Sequence, residues 1–416
     1  MHPKDLSIAD FDYPLPDERI ARFPLAERDC AKLLVYRNGL ISESDYRHLA
    51  DQLPAGATLV CNDTRVLEAR LLFQKESGGM IEIFTLEPSG QYRDMETALS
   101  QQGSVEWNCL VGGASKWKPH YKPRKVIHNG NGHLVLEAEI VERLRDSFRI
   151  RFTWTPAELT FPEVLHLAGQ IPLPPYLKRE PMPGDEKSYQ TVYASHEGSV
   201  AAPTAGLHFT PEVFSSLAKK HIHPLYLTLH VGAGTFRPVK SDTIEGHEMH
   251  SEYMEIKRAT LAALATSGPD MYAVGTTSLR SLESLYWMGV KCMKNPGILP
   301  DTLPVLQWEP YNEPAPTLSR KDALGYLLKW LDKHEMDRLI TRTQIMIAPG
   351  YRFRMIRGLI TNFHQPRSTL LLLVAAIVGD DWKKIYQHAL ENGFRFLSYG
   401  DGSLLELPGL PGEFDT

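Results

Sequence analysis

The chain has 416 residues, of which 43% are hydrophobic and 23% charged, as in soluble globular proteins of about two or three domains. Its formal charge of −5 excludes binding of nucleic acid through overall charge alone. The longest apolar run, Leu370 to Val378, is too short for a membrane helix, which needs about 20 residues, and the first ten residues do not resemble an export signal. Four cysteines without a CxxC pair exclude a disulfide framework. We therefore expect a cytoplasmic protein without membrane contact.

Short alternating segments between Val66 and Thr155 predict antiparallel strands. Residues 134–140 and 148–154 place apolar side chains at every second position, as in strands with one buried face. Five or six such strands close most economically into a small barrel.

After Thr155 the pattern changes to that of an α/β domain. Buried strand patterns at 223–231 and 271–278 alternate with helical patterns. If the earlier strand pattern at 57–66 joins them, the α/β main domain comprises residues 1–66 and 156–416, and the small antiparallel β-barrel domain of residues 67–155 is inserted into it.

A proline-rich insertion lies within about 287–340. Six prolines between Pro296 and Pro316 predict a surface excursion without regular structure. Ser319 and Asp322 then resemble a capping box, so we expect a helix with an apolar stripe formed by Leu324, Leu327, Leu328 and Leu331.

The common nucleotide-binding motifs are absent. There is no GxxxxGK[ST] loop, and the turn Gly232-Ala-Gly234 is followed by Arg237 where a dinucleotide fingerprint needs its third glycine. This turn indicates either a tight turn alone or a close approach of the backbone to a ligand.

Four histidines lie near turns or strand ends, namely His208, His230, His247 and His250. Their spacing is not HExxH and no cysteine is nearby, so we expect no metal site. They are typical either of groups that transfer protons near neutral pH or of satisfied polar residues in a loop.

Ser278 and Arg280 follow a buried strand pattern. Without GxSxG, Ser278 is interpreted as a helix cap rather than a nucleophile, which places Arg280 in the first turn of that helix. A cation is unfavourable there, so we expect an anionic partner such as a carboxylate, with a solvated surface arginine as the alternative.

Two basic stretches contrast with the net charge. Residues 116–125 (KWKPHYKPRK) contain five cations and no acid, and residues 338–379 contain six arginines and no acid or lysine. Both favour contact with RNA through phosphates and stacked bases, and the alternative is solvated surface charge.

Ten motifs follow one another along nearly the whole chain. They are NDTRV (62–66), KESGGMIE (75–82), IPLPPYLKR (171–179), YQTVYA (189–194), GSVAAPTAGLHF (198–209), TLHVGAGTFRPV (228–239), HEMHSE (247–252), AVGTTSLRSLES (273–284), TNFHQPRSTL (361–370) and FRFLSYGD (394–401). Together they closely resemble the S-adenosylmethionine:tRNA ribosyltransferase-isomerase family of the queuosine pathway, and AAPTAGLHF and LHVGAGTF are the most specific.

The resemblance implies a two-domain protein with a β-barrel inserted near residues 67–155, in agreement with the strand pattern. It implies an enzyme that transfers and isomerises the ribosyl part of S-adenosylmethionine onto 7-aminomethyl-7-deazaguanine at the tRNA wobble position. Epoxyqueuosine tRNA forms, and adenine and methionine leave. The sulfonium acidifies the ribose C5′ hydrogens, so a positioned base can start the reaction without a metal or a cofactor beyond the co-substrate S-adenosylmethionine. The expected partners are S-adenosylmethionine and this tRNA, and we expect a monomer.

Site residues follow from these motifs and this chemistry. The catalytic candidates are His208 and His230 for proton transfer and Glu252 for ribose hydroxyls or the methionine ammonium. Arg280 is expected to bind the methionine carboxylate. The other residues expected to bind substrate are Asp63, Arg65, Tyr193, Thr204, Gly206, Gly232, Gly234, Thr235, His247, His250, Thr276, Asn362 and His364. Those expected to bind tRNA are Lys116, Lys118, Lys122, Arg124, Lys125, Arg352, Arg354, Arg357 and Arg367.

Three features depart from the usual family pattern. Gly113 replaces the arginine of an RxSK motif, Arg357 replaces an aspartate before TNFH, and the segment from Trp287 to Ile340 is longer than usual. They leave open a relative that uses S-adenosylmethionine on another nucleobase or amine. A non-catalytic RNA-binding relative is the third alternative, and it is disfavoured because the pocket motifs are present. An ordinary methyltransferase is disfavoured because the glycine turn carries no acidic residue.

Overall fold

A computed structural model describes residues 2–75, 77–118, 121–129, 132–232, 244–249, 251–312 and 318–409. Within these ranges the strands are β1 (Lys32–Arg37), β2 (Leu40–Asp45), β3 (Thr58–Asn62), β4 (Thr64–Val66), β5 (Arg70–Gln74), β6 (Met80–Pro88), β7 (Ser104–Gly112), β8 (Arg124–Asn129), β9 (Gly132–Arg143), β10 (Phe148–Thr155), β11 (Gly169–Gln170), β12 (His196–Ser199), β13 (His223–His230), β14 (Glu252–Lys257), β15 (Met271–Val274), β16 (Arg338–Thr343), β17 (Gly358–Asn362) and β18 (Gly402–Glu406). The α-helices of the same ranges are α1 (Met95–Leu99), α2 (Phe161–Ala168), α3 (Asp185–Ser188), α4 (Pro211–Lys219), α5 (Arg258–Thr266), α6 (Thr276–Lys294), α7 (Arg320–Lys333), α8 (Thr369–Val378) and α9 (Asp381–Glu391).

The main sheet has nine strands in the order β16-β14-β13-β3-β15-β17-β18-β1-β2. The four strands β13, β3, β15 and β17 run parallel to one another, and the register aligns Thr58 of β3 with His223 of β13 and Met271 of β15. Their carboxyl ends therefore lie at one edge of the sheet, where α/β proteins usually bind ligands. The strand β18 is antiparallel to β17 and parallel to β1, so it joins the β1–β2 hairpin to the rest of the sheet.

Helices cover both faces of this sheet. Leu279, Leu282 and Leu285 of α6 are fully buried in one core, together with α5, α7, α8 and α9. The other face packs α4 and the 3-10 helix Tyr46–Gln52 against β1, β3 and β15. The α/β layering expected from the sequence is thus observed, because apolar strands covered on both faces need helices on each side.

A second sheet is antiparallel throughout, in the order β11-β5-β6-β7-β10-β9-β8. The predicted alternation is confirmed in β10, where Ile150, Phe152 and Trp154 are buried and the residues between them are exposed. The sheet curls until β8 lies beside β5, although no ladder joins these two strands within the described residues. The basic segment predicted to face RNA continues into β8, an edge strand whose residues 124–128 are exposed or half-buried and never fully buried.

The helix α2 packs against the curled sheet. Thr160 and Glu163 form a capping box, with the Thr160 N–H donating to Glu163 Oε2 at 2.7 Å. The ring of Phe161 then packs against Trp107, Phe152 and Trp154 at centroid distances of 5.0, 5.5 and 5.9 Å. Burial of this aromatic cluster stabilises the second core.

The predicted helix after the proline-rich segment is confirmed as α7. Ser319 Oγ accepts from the Asp322 N–H at 3.1 Å, and the leucine stripe is buried except for the partly buried Leu328. The proline-rich segment is not wholly irregular, since it forms short 3-10 helices at Pro300–Thr302 and Glu309–Tyr311, and residues 313–317 lie outside the described ranges. Proline suits the first positions of such helices because its missing N–H has no partner to lose there.

The longest apolar run forms α8, which is buried against the main sheet. Among the described residues, no helix combines the length and hydrophobicity that a membrane span requires. All four cysteines are free thiols.

Candidate functional site

The candidate site lies where the four parallel strands end. Asp63, Val231, Gly275 and Phe363 directly follow β3, β13, β15 and β17. Gly275 has φ +87°, a conformation that favours glycine, and it turns the chain directly from β15 into α6. Two concave regions flank the end of β13 at this edge.

The first region, the strand-end cavity, has a volume of about 90 Å³. Its polar lining includes Thr204, whose hydroxyl donates to Asn362 Oδ1 at 2.7 Å, and the nearly buried Thr276 and Thr277 of α6. No charged side chain lines it among the described residues. The described lining residues are Tyr176, Ala201, Ala202, Pro203, Thr204, Ala205, Val231, Gly275, Thr276, Thr277, Thr361, Asn362, Phe363, His364, Gln365, Ser368, Leu370, Leu397 and Ser398. Four residues expected to bind substrate from three distant motifs therefore meet here.

His208 lies behind this cavity rather than in its wall. It is 4% exposed, its ring packs on Tyr46 at a centroid distance of 4.4 Å, and the amide of Asn362 lies 3.4 Å from its Nε2. Burial, assisted by the positive charge of Arg395, lowers the pKa of His208 to about 3. His208 is therefore a neutral residue suited to orient Asn362.

His364 lies in the cavity wall and is also fixed. Its Nε2 lies 3.0 Å from Thr361 Oγ1, its backbone N–H donates to the Tyr386 hydroxyl at 3.0 Å, and its carbonyl accepts from Tyr13. Burial lowers the pKa of His364 to about 3. The ring is therefore uncharged at neutral pH and keeps the cavity free of charge.

The second region, the inter-sheet groove, separates the curled sheet from the main sheet and has a volume of about 880 Å³. It contains Arg65 and His230, two residues predicted to take part in the site. The described lining residues are Arg65, Met95, Glu96, Leu99, Ser100, Thr160, Pro162, Ser195, His196, Glu197, Thr228, His230, Glu255, Lys257, Ala259, Asp337 and Arg338. The groove is thus much wider and far more charged than the strand-end cavity.

Asp63 points into the wall of this groove, where it accepts from three side chains. Thr228 Oγ1 donates to Oδ1 at 2.7 Å, while Ser195 Oγ and His196 Nδ1 lie 3.3 and 3.1 Å from Oδ2. The sequence predicts Asp63 as a substrate ligand, but its oxygens already serve the protein. His196 was missed, since its partner lies 133 residues away and no local pattern marks the pair.

His230 ends β13 beside this pair. Its Nδ1 lies 3.2 Å from Thr64 Oγ1, and a Cβ at Gly198 would come within 2.8 Å of that nitrogen, so this position requires glycine, which has φ +134° there. Burial and the neighbouring His196 lower the pKa of His230 to about 4. His230 is therefore neutral near pH 7 and able to accept a proton.

Arg280 and Glu252 form a buried ion pair, with exposures of 7% and 6%. Arg280 Nε also donates to the Ile345 carbonyl at 3.2 Å. The expectation of a carboxylate partner for Arg280 is confirmed, but that carboxylate belongs to the protein, and neither residue lines the two regions. Their predicted contacts with methionine and ribose thus compete with an internal pair.

Two details of α6 differ from the sequence prediction. The N-cap is Gly275, so Arg280 lies in the second turn, and Ser278 is not a cap because its hydroxyl donates to the Val274 carbonyl at 2.8 Å. Glu283 was missed. It is fully buried and accepts from Tyr351 Oη at 2.8 Å, and burial raises its pKa to about 7.

Other residues expected to bind substrate have packing roles or lie outside the described residues. A Cβ at Gly206 would lie 1.9 Å from Tyr193 Oη, so this glycine makes room for a ring that packs in the core beside Phe209. Gly232 is half-buried after β13, and the His247 carbonyl accepts from Gln307 at 2.7 Å. The expected residues outside the described ranges are Gly234, Thr235 and His250.

Several cations predicted to bind tRNA have partners within the protein. Lys122 pairs with Glu139 at 3.1 Å, Arg124 with Glu137 at 3.7 Å, and Arg367 with Asp12 at 2.6 Å. These pairs are exposed and therefore weak, so an RNA phosphate could still compete for their cations.

The remaining cations differ in burial. Arg354 is 7% exposed and packs over Tyr286, and Lys125 is partly buried and donates to the Ala168 carbonyl at 2.6 Å. Arg354 therefore lacks the phosphate access that the prediction requires. Lys118 and Arg352 are exposed and Arg357 is half-buried, while the Lys116 side chain lies outside the described part.

Potential metal ligands cluster elsewhere. Glu27, Asp29 and Cys30 are the one group of three in the described part of the chain whose ligand atoms lie close together. Arg47 pairs with both acids, and the group lines neither region.

Comparison with known proteins places the chain in a family. The family model described as "Queuosine biosynthesis protein" matches residues 8–405. The chain belongs to this family. The S-adenosylmethionine:tRNA ribosyltransferase-isomerases of Synechococcus sp. (strain CC9605) and Chlorobium luteolum are 35% and 36% identical to it, over 96% of this chain and 94% and 100% of their own lengths. The resemblance read from the motifs is thereby confirmed. A crystal structure of an S-adenosylmethionine tRNA ribosyltransferase from Thermotoga maritima is 25% identical, covers 95% of this chain and 99% of that chain, and has a TM-score of 0.45.

Proposed function

We propose that this enzyme transfers and isomerises the ribosyl part of S-adenosylmethionine onto 7-aminomethyl-7-deazaguanine at the wobble position of tRNA. Epoxyqueuosine tRNA is the product, and adenine and methionine are released. The observation that carries this proposal is the pair of regions at the end of β13, one uncharged and one with two imidazoles, in a chain whose relatives bear the name of this activity.

The strand-end cavity is suited to an uncharged part of S-adenosylmethionine, such as its ribose or adenine. Thr276 and Asn362 offer hydrogen bonds there without a charged neighbour. At about 90 Å³ the cavity is smaller than the roughly 300–1,000 Å³ of sites that hold whole ligands. The rest of the molecule therefore extends past the end of β13 towards the groove.

His230 is the better placed of the two histidines proposed for proton transfer. It lines the groove as a neutral imidazole, and it can take the C5′ proton that the sulfonium acidifies. His208 lies behind Asn362 and acts through it as a positioning residue. Glu252 keeps Arg280 neutralised and does not need to meet the ribose.

The curled sheet is proposed to act as the inserted β-barrel domain of residues 67–155. It forms one wall of the groove through Met95, Glu96 and Leu99. We assign tRNA contact to the exposed Lys118 and Arg352, in a protein that acts as a cytoplasmic monomer with no metal or further cofactor.

The test is one incubation of the purified protein with S-adenosylmethionine labelled in its ribose and tRNA that carries the aminomethyl-deazaguanine. Adenine and methionine should appear in equal amounts, with the label on the RNA. The same tRNA with guanine at the wobble position is the control and should remain unlabelled. Formation of S-adenosylhomocysteine and a methylated RNA would overturn the proposal, and labelling of another amine in its place would indicate a different acceptor.

A further inference from the structure

The Asp63–His196 pair is arranged as an oriented imidazole in the groove wall. A carboxylate can only accept, so the Nδ1 of His196 must carry the proton at its 3.1 Å contact with Asp63. Ser195 Oγ lies 2.9 Å from the same Nδ1, so it accepts a share of this N–H while its hydroxyl donates to the Asp63 carboxylate at 3.3 Å. This tautomer leaves Nε2 of His196 unprotonated and able to accept a proton.

The rest of the His196 ring is open to the groove. Its side chain is 39% exposed, whereas that of Asp63 is only 10% exposed. All the hydrogen bonds recorded for the ring in the described part of the chain involve Nδ1. The unprotonated Nε2 therefore belongs to the part of the ring turned away from the buried carboxylate.

His196 and His230 differ in the group that contacts Nδ1 of each ring. The Thr64 hydroxyl donates to the His196 carbonyl at 3.4 Å, so its oxygen accepts from Nδ1 of His230 at 3.2 Å. Both rings thus have an unprotonated Nε2, but only His196 has a carboxylate behind it. A carboxylate behind Nδ1 fixes the tautomer, orients the ring and stabilises an imidazolium that forms during the reaction, as in the Ser-His-Asp triad.

We propose that His196 is a second catalytic base, which takes a proton from the alkylammonium group of the acceptor substrate while that group lies in the inter-sheet groove. The inference rests on the proposed function, whose acceptor carries an aminomethyl group. An ordinary alkylammonium has a pKa near 10, as lysine does, so at pH 7 roughly one molecule in 2,500 is a free amine. A base at the groove is therefore needed before nitrogen can attack the ribosyl carbon.

The step is a simple proton transfer. One N–H bond of the ammonium breaks, its electron pair stays on the substrate nitrogen, and a new N–H bond forms at Nε2 of His196. The positive charge moves onto the imidazole, whose Nδ1–H faces the Asp63 carboxylate. His230 remains free to take the C5′ proton, so the two deprotonations of the reaction use different residues.

Charged groups on every wall of the groove act on a cation that binds beside His196. Besides Asp63 and His230, the ionisable groups that line the groove around His196 are Arg65 on β4, Glu96 on α1, Glu197 on β12, Glu255 and Lys257 on β14, Asp337 before β16 and Arg338 on β16. Arg338 pairs with Glu96 and Glu255 at 2.8 and 2.9 Å. The acids outnumber the cations, so the groove as a whole favours binding of the ammonium group of the acceptor.

The test compares His196→Asn and His196→Gln with the wild type in full-length enzyme and modified tRNA. The asparagine amide can replace Nδ1–H against Asp63, the glutamine amide reaches towards the Nε2 position, and neither is basic. In both variants we expect kcat/KM for tRNA to fall by about 10² to 10⁴-fold at pH 7. The residual rate should then rise almost tenfold per pH unit from pH 7 to 9 as the substrate amine deprotonates unaided, while the wild-type rate stays nearly level.

His166→Gln is the matched control. His166 also holds a carboxylate through Nδ1, that of Glu68 at 3.0 Å, but it is 71% exposed and lies outside the groove. This variant should keep the wild-type profile, and all variants should bind S-adenosylmethionine as the wild type does, which shows that they are folded. If His196→Asn has a pH profile parallel to that of the wild type, the residue is structural and the inference is wrong. If the wild type itself releases no adenine with modified tRNA, the proposed function has failed instead.

Discussion

The strand-end cavity and the inter-sheet groove share the end of β13, yet they differ in charge. The cavity has no charged residue in its described lining, and its histidine is held neutral by burial. The groove is lined by seven charged side chains and two imidazoles. Under the proposed function, binding of an uncharged ligand part and proton transfer take place at separate places on the two sides of one strand.

The largest expected effect is on the groove side. His230→Gln should lower kcat by about 10² to 10⁴-fold because it removes a proton acceptor, while the Kd for S-adenosylmethionine changes less than twofold. Single-turnover release of adenine measures the first quantity and calorimetry the second. His223→Gln, at the exposed start of the same strand, is the control and should behave as the wild type. A loss of affinity with unchanged kcat would mean that His230 binds S-adenosylmethionine and does not transfer a proton.

The second-largest expected effect tests whether the buried ion pair of Arg280 and Glu252 stabilises the fold rather than binding substrate. Arg280→Met should destabilise the protein by about 3–5 kcal/mol, because Glu252 is left buried without a partner. The double variant Arg280→Met/Glu252→Leu should recover most of that loss in urea unfolding. If Arg280 instead binds the methionine carboxylate, the single variant will mainly lose affinity for S-adenosylmethionine and the double variant will not restore it.

Acid should lower the free energy of unfolding through the buried histidines in and behind the strand-end cavity. His208 and His364 have pKa values near 3 when folded and about 6.5 when unfolded, so the unfolded chain binds more protons below pH 6.5. Their contribution is complete above pH 6.5 and is lost as pH falls towards 3, by about 2 kcal/mol each at pH 5. Glu283, with a pKa raised to about 7, acts in the opposite direction, so the measurement must compare variants.

That comparison uses urea unfolding at pH 7 and pH 5. The loss between the two pH values should be about 2 kcal/mol smaller in His364→Gln than in the wild type. An equal loss in both proteins would mean that His364 titrates normally in the fold and that the cavity is not free of charge.

The smallest effect concerns tRNA contact outside both regions. Lys118→Ala should reduce the slope of log affinity for tRNA against log salt by about 0.7–0.9, since one phosphate contact is lost. Lys122→Ala should change it less, because Lys122 is already paired with Glu139. Filter binding at several salt concentrations distinguishes the two variants, and equal slopes throughout would remove Lys118 from the RNA surface.

Periodicity predicted those elements whose faces differ in burial. Ile150, Phe152 and Trp154 of β10 and the leucine stripe of α7 were found because one face of each element is buried and the other is not. The edge strand β8 gave no such signal, since its residues alternate only between exposed and half-buried. Its basic side chains favoured an RNA surface, and the structure shows that Arg124 of β8 and the preceding Lys122 pair with acids of β9.

The sequence predicted which residues lie in the site better than it predicted which residues form hydrogen bonds or ion pairs with each other. Motif order brought Thr204, Thr276 and Asn362 to attention, and the meeting of parallel strand ends explains why they lie together. The internal partners of Arg280 and of Asp63 could not be read from the sequence. The Arg280–Glu252 pair joins α6 to β14, and the Asp63–His196 pair joins the turn after β3 to β12, so tertiary packing decides which oxygen faces which nitrogen.

The position of β18 has a consequence for how the protein is made. Among the described strands, β18 alone joins the β1–β2 hairpin to the rest of the main sheet, and it lies between β17 and β1. At about 5–20 residues per second, a ribosome needs roughly 20 to 70 seconds to pass from Arg37 to Gly402. During this interval the edge of β1 remains without its neighbour β18, whereas β5 to β10 can pair with one another soon after they emerge. The curled sheet can therefore complete itself during translation, and the sheet that carries both regions must wait for one late strand.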